Sequence, residues 1–253
     1  MTDSQHGGRV ALVTGASRGI GAATARLLAS RGMRVVVNYL NSAQDADGVV
    51  ASIRSAGGEA IAVQADVRDA AAVAGMVEQV RAAMGEVEVL VHNALIPFAV
   101  KTFEEMSWDE LRTKLEEEMR AAFLVTKAVV PGMTARGYGR IVFMSTGTSR
   151  QPRERMMALG TSKAALNQFA RYVAQEMGPR GITVNVVAAS PVDETSIADV
   201  LGDMHRKRQA AQTVLGRMAK PDDVARAVAF YAGEDSGFIT GTIAGVNGGG
   251  AWD

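Results

Sequence analysis

The chain contains no cysteine, which removes disulfide scaffolds and thiolate metal sites. Histidine occurs only at His6, His92 and His205, too scattered for metal-ligand spacing. Net charge is absent as well: 27 Lys and Arg balance 27 Asp and Glu, which argues against nucleic acid or an anionic membrane surface as the main partner. No apolar run approaches the roughly 18 residues of a membrane span, and the stretch Met1–Gly8 is polar, without an apolar signal core. These absences lead to the expectation of a cytoplasmic soluble protein. A last absence concerns chemistry. Four residues after Tyr39, Tyr138, Tyr172 and Tyr231 come Ala43, Val142, Glu176 and Asp235, so no tyrosine is followed by a lysine at that spacing.

What is present is a regular alternation. Hydrophobic residues make up 47% of 253 positions, enough for a sizeable core. Arg9–Thr14, Arg34–Asn38, Ala60–Gln64, Val87–His92, Arg140–Met144 and Ile182–Val187 read as strands, mostly apolar throughout, as in a parallel sheet buried on both faces. Helical patterns lie between them at Ile20–Arg31, Ala43–Ala56, Ala70–Met84, Trp108–Ala135 and Leu159–Met177, followed by Thr195–Gln212 and Pro221–Ala232. Thr242–Val246 reads as a last strand before Gly248-Gly249-Gly250. With no linker, repeat or low-complexity segment, the alternation predicts a single α/β domain: a doubly wound parallel sheet of about seven strands flanked by helices, with right-handed crossovers.

Between the first strand and first helix stands Thr14-Gly15-Ala16-Ser17-Arg18-Gly19-Ile20-Gly21. Gly15 suits a tight turn, Gly19 allows backbone to approach a pyrophosphate, and Gly21 allows close helix–strand packing, so exposed N–H groups face an anion. Further matching stretches are Ala65-Asp66-Val67, Val91-His92-Asn93-Ala94, Gly139-Arg140-Ile141-Val142, Ser162-Lys163-Ala164-Ala165, Arg180-Gly181-Ile182-Thr183-Val184-Asn185 and Phe238-Ile239-Thr240-Gly241. Together they resemble the short-chain dehydrogenase/reductase family, near its β-ketoacyl carrier-protein reductase branch. The resemblance implies a Rossmann fold, a nicotinamide cofactor and a homotetramer or homodimer.

The second strand ends in Val37-Asn38-Tyr39-Leu40-Asn41-Ser42, without the carboxylate that would bind the ribose hydroxyls of NAD and repel a 2′-phosphate. Arg18 supplies positive charge for such a phosphate. NADPH is the expected cofactor, held by Gly15, Ser17, Arg18, Gly19, Ile20, Gly21, Asn38, Tyr39, Asn41 and Ser42. The resemblance adds Asp66 at the adenine amine, Val67 on the ring, Asn93 steadying the fourth strand, Ala94 at the ribose, Lys163 on the nicotinamide ribose and Val192 near the carboxamide. Leu95 replaces the usual following glycine, and the family's Pro-Gly pair reads Ala189-Ser190.

The family's catalytic asparagine, serine, tyrosine and lysine fall here on Glu118, Thr146, Leu159 and Lys163. Ser145, adjacent to Thr146, is an alternative hydroxyl. Glu118 lies in the run Glu116-Glu117-Glu118, which reads equally well as a solvated helix face. A positioned general acid is worth about 10²–10⁴-fold, or about 3–5 kcal/mol of barrier. An oxyanion comparable to that of water, pKa ~15.7, needs that proton far more than a phenolate-like anion, pKa ~10. Loss of the phenol therefore favours quinones and cyclic conjugated ketones, hydrophobic or aromatic small molecules of secondary metabolism such as antibiotic biosynthesis. Arg150, Arg153 and Arg155 are candidates to stabilise an anionic oxygen, and Met144, Met156, Met157 and Met204 to contact a flat ring; both sets read equally as solvated arginines and core methionines. Two alternatives stay open: a non-catalytic NADPH-binding subunit pairing with an active homologue, and 3-oxoacyl reduction with a substitute donor such as Ser145.

Overall fold

A computed structural model describes residues 8–193 and 206–250. In chain order the elements are β1 (Val10–Val13), α1 (Gly19–Ser30), β2 (Arg34–Tyr39), α2 (Ala43–Ser55), β3 (Ala60–Gln64), α3 (Ala70–Met84), β4 (Val87–His92), α4 (Trp108–Arg136), β5 (Gly139–Thr146), α5 (Met157–Met177), β6 (Ile182–Ala189), α6 (Pro221–Tyr231) and β7 (Ile243–Val246). The strands form one parallel sheet in the order β3-β2-β1-β4-β5-β6-β7. This is the expected single-domain, doubly wound Rossmann architecture with seven strands. Most of the expected helix Thr195–Gln212 and Met204 lie outside the described residues; positions 206–211 are helical.

Both faces of the sheet are covered, so its strands carry apolar side chains on both sides. One core layer joins Leu12, Leu90, Ile141 and Phe143 to α3, α4 and α5. The other joins Val13, Val37, Val91 and Val142 to α1, α2 and α6. β5 and β6 run two residues beyond the apolar stretches that announce them, pairing Ser145 with Ala188 and Thr146 with Ala189. Ladder hydrogen bonds do not require apolar side chains, so polar and small residues extend the strands to the carboxyl edge.

Order reverses between β1 and β4, which have their crossovers on opposite sides. A crevice opens outside the carboxyl ends of strands at such a switch point. At this edge β4 ends in His92, whose imidazole is 1% exposed and stands edge-on to Phe143 at 5.8 Å. Neither ring nitrogen has a hydrogen-bond partner. Burial, above all, pushes the imidazole pKa down to about 4. The unfolded chain therefore takes up a proton below about 6.5 that the folded chain refuses, so stability is intact at neutral pH and falls towards pH 4. In urea unfolding between about pH 7 and about pH 4.5, the protein is expected to lose about 2 kcal/mol more stability than a His92→Leu variant. Equal losses would show that His92 carries no such penalty.

Candidate active site

The glycine loop leads from β1 into α1. Gly15 and Gly19 have φ of 61° and 55°, the left-handed region that glycine enters without strain. A Cβ at Gly21 would stand 2.5 Å from the Gly15 carbonyl oxygen and 2.6 Å from Asn93 Nδ2, so only glycine lets the helix close on the loop. Asn93 Nδ2 donates to the carbonyls of Thr14 and Gly15, each at 3.0 Å. The Asn93 and Ala94 N–H groups donate to Thr14 Oγ1 at 2.9 and 3.0 Å. These bonds tie the end of β4 to the loop. No side chain caps α1, and no acidic residue stands in its first turn, so its leading N–H groups meet the crevice without an anion of the chain's own. That is the environment a pyrophosphate requires, and the loop fits one.

The other predicted cofactor contacts divide into two groups. Arg18 is exposed beside the loop, with Ser17, Gly19 and Ile20 partly exposed. Tyr39, Asn41 and Ser42 lie at the end of β2 and just beyond it, at least partly exposed. Asn38 is instead turned inward, 2% exposed: its Oδ1 accepts from the Gly15 N–H at 3.3 Å and its Nδ2 donates to the Ala65 carbonyl at 3.1 Å. Its side chain braces the loop against β3 rather than facing the crevice. Asp66 carries Arg68 on its carboxylate, with Nη2 to Oδ2 at 2.8 Å, and the Arg68 bond holds its pKa below the ordinary value. Val67 and Val192 are buried, and Val192 bridges to Ala219. Leu95 is 54% exposed and needs no left-handed backbone, so the loop accommodates a side chain where glycine was expected.

Beneath the crevice lies a cluster of charge. Lys163 is 6% exposed on α5, and its Nζ donates to Glu118 Oε1 and the Met144 carbonyl, both at 2.7 Å. Glu118, 0% exposed on α4, also accepts from Lys114 Nζ on its other oxygen, Oε2, at 2.5 Å. Lys114 donates in addition to the Ile96 carbonyl at 2.8 Å. Burial would raise the Glu118 pKa, but the two ammoniums outweigh it and hold the carboxyl well below its ordinary range. Glu118 is thus no solvated-face residue, whereas Glu116 is exposed and Glu117 pairs with Arg68 at 2.8 Å.

Leu159, one helical turn before Lys163, is half-buried in the first turn of α5. Thr146 is partly exposed, and its hydroxyl accepts from the Thr148 N–H at 3.4 Å. Ser145 faces the interior, with a buried hydroxyl that has no partner. Of the two candidate hydroxyls, Thr146 is therefore the one at the mouth. All four tyrosines are elsewhere. Tyr138 is packed between the Arg9 and Arg140 guanidiniums at the opposite edge of the sheet, at 4.0 and 4.3 Å. Tyr172 is 63% exposed far along α5, Tyr231 is buried at the end of α6, and Tyr39 ends β2.

The segment between Thr146 and α5 uses its arginines as ties. Arg153 Nη1 donates to Gln209 Oε1 at 3.2 Å. Arg155 Nη2 donates to the Val100 carbonyl at 3.4 Å and lies 3.8 Å from Glu105. Its φ of 65° is the one positive value among described non-glycine residues. These two arginines thus bind neighbouring segments rather than pointing at a common oxygen. Met144 packs in the core on the α1 and α6 side, and only its carbonyl joins the site. Met156 and Met157 are partly exposed at the start of α5.

The comparisons with known proteins show the family and agree with the fold. A family profile described as Enoyl-(Acyl carrier protein) reductase matches residues 15–250. The chain is 36% identical to the cis-4-hydroxycyclohexanecarboxylate dehydrogenase of Sinomonas cyclohexanicum over 95% of its length and 96% of that protein's. It is 34% identical to the 3-oxoacyl-[acyl-carrier-protein] reductase of Escherichia coli over 96% of its length and 97% of that protein's. A Serratia marcescens short-chain dehydrogenase/reductase double mutant superposes with a TM-score of 0.88 at 34% identity, covering 98% of this chain and 100% of the other. The chain belongs to the short-chain dehydrogenase/reductase family. It is accordingly an oxidoreductase, of a family that works with a nicotinamide cofactor.

Within this short-chain dehydrogenase/reductase, sequence reasoning missed Lys114. The signal was available in the spacing: Lys114, Glu118, Ala122 and Thr126 follow one another at four-residue steps, and all are buried on one stripe of α4. Replacing Glu118 by glutamine leaves two buried ammoniums without their counter-charge. Breaking a buried ion pair in this way costs about 3–5 kcal/mol. Because the Glu118 pKa is depressed, its contribution is complete above the unfolded value of about 4.3 and fades only as pH falls through the folded value. Urea unfolding of Glu118→Gln at neutral pH is expected to show that loss; a change under about 1 kcal/mol would mean that water already screens the pair.

Proposed function

We propose that the protein is an NADPH-dependent reductase of a cyclic conjugated ketone or quinone. The observation that carries the reading is the absence of any phenol at the site, with Leu159 in its place and all four tyrosines accounted for elsewhere. NADPH, when bound, supplies the hydride. Lys163 positions the nicotinamide ribose, and Thr146 donates its hydroxyl hydrogen to the carbonyl oxygen. Half-buried Leu159 presents an apolar wall where a ring substrate lies. A delocalised, phenolate-like product anion needs little proton donation as it forms, whereas an isolated ketone gives a far more basic oxygen. The similarity to a dehydrogenase named for a cyclohexane alcohol supports a ring substrate.

NADPH preference rests on the exposed Arg18 and on the end of β2, where Tyr39, Asn41 and Ser42 replace a carboxylate. The apolar face of α4 and α5, with Phe123 51% and Tyr172 63% exposed, supports a homodimer or homotetramer that buries it.

Leu159→Tyr restores the phenol one turn before Lys163. Its kcat/KM on a simple cyclic ketone is expected to rise by about 10²-fold, with much less change on a quinone, in an assay of NADPH oxidation. Equal gains on both substrates would remove the argument for a delocalised acceptor. Firm NADPH binding without turnover of any quinone or ketone would favour the non-catalytic subunit instead. Arg18→Glu places a carboxylate beside the expected 2′-phosphate. Fluorescence titration is expected to show NADPH affinity falling about tenfold or more while NADH affinity moves little. A parallel loss for both would separate Arg18 from the phosphate.

A further inference from the structure

The segment between β5 and α5 meets the helical stretch at 206–211 around a cavity of about 430 Å³, lined by Arg153, Glu154, Arg208, Gln209 and Gln212. Arg153 and Glu154 stand between Thr146 and Leu159 in the chain, so the cavity borders the mouth of the crevice. Two arginines nearby already have carboxylates: Arg155 lies 3.8 Å from Glu105 and Arg206 lies 3.1 Å from Asp193. Arg153 has no carboxylate partner among the described residues, and the exposed Arg208 makes neither an ion pair nor a hydrogen bond with them.

The glutamines add donors to the same space. Arg153 Nη1 donates to Gln209 Oε1 at 3.2 Å and to Gln212 Oε1 at 3.5 Å. Both amide oxygens are thereby engaged, and each amide still presents its Nε2 donors. Arg153 keeps the N–H groups of its Nε and Nη2. Four side chains thus offer donors, and Glu154 is the one carboxylate in the lining. Two guanidiniums and one carboxylate leave one net positive charge, which a monoanion neutralises and a phosphate dianion would overshoot.

We propose that this cavity receives a carboxylate on the substrate, so that the ring compound reduced here carries a monoanionic arm remote from its reacting carbonyl. The proposal rests on the reductase reading and names its substrate class. A guanidinium meets a carboxylate through two parallel charge-assisted bonds, about twice as strong as neutral ones. An exposed ion pair contributes little when two free side chains must be ordered to make it. Here Arg153 is already held by two amide oxygens, so less freedom is lost on binding. Anchored at that end, the ring lies along the apolar wall of Leu159 with its carbonyl at Thr146. Positive charge at the mouth also draws an anionic substrate in.

The test compares 2-carboxyalkyl-1,4-naphthoquinones of increasing chain length with their methyl esters, which match them in shape and lack the charge. Two readouts are taken on the full chain: kcat/KM for NADPH oxidation, and Kd by calorimetry. At the chain length that fits, the acid is expected to be favoured over its ester by about tenfold in both. Arg208→Gln, a change at an exposed position, is expected to bring that ratio to within about twofold, and Arg208→Glu to turn it in favour of the ester. Acid and ester treated alike at every length by the wild-type chain, or a preference that survives both substitutions, overturns this assignment alone. Acid favoured in binding with no turnover of either compound overturns the reductase reading and leaves the carboxylate site in place. Neither binding nor turnover overturns both.

Discussion

A carboxylate buried between two ammoniums is the constraint around which the site is arranged. Glu118 on α4 reaches Lys163 on α5, and Lys163 in turn holds the Met144 carbonyl near the end of β5. One side chain thus links two helices and a strand at the edge of the sheet where the crevice opens. Such a link is costly to break, because either charge left alone in the interior loses both hydration and partner. Lys114 adds the second cation and fixes the segment at Ile96 to α4. The floor of the crevice is therefore rigid.

The glycine-loop side of the crevice is held differently. There the backbone does the work, through loop glycines at positive φ, an uncapped helix end and Asn93 and Asn38 spent on bracing. None of these bonds involves Glu118 or Lys163. The glycine loop and the charged floor are thus held by separate sets of bonds. Thr14 shows the separation: its hydroxyl is used on the N–H groups of Asn93 and Ala94 and does not reach the charged floor.

The segment between β5 and α5 is held by side-chain ties rather than by long regular elements. Arg153 and Arg155 span from the segment before α5 to Gln209, Val100 and Glu105. Exposed ties of this kind contribute little stability; what they do is hold the walls of the mouth in register. Arg155 lies in the left-handed region two residues before α5 begins.

Much of this was legible in the order of residues. Apolar runs and helical periods located each described strand and each of α1 to α6 within a few residues, because a parallel sheet buried on both faces writes continuous hydrophobic stretches. The glycine loop was legible because its φ angles admit little else. Tertiary structure alone decided which polar residues face inward. Glu116, Glu117 and Glu118 are the same letter three times, yet only the last lies on the stripe of α4 that α5 covers. Ser145 and Thr146 are neighbouring hydroxyls, and the pleat sends one inside and leaves the other at the mouth. Asn38 lies near the end of β2 as expected, but its amide turns to the glycine loop. Charge, burial and direction are set by what packs opposite a side chain, and that partner is far away in sequence.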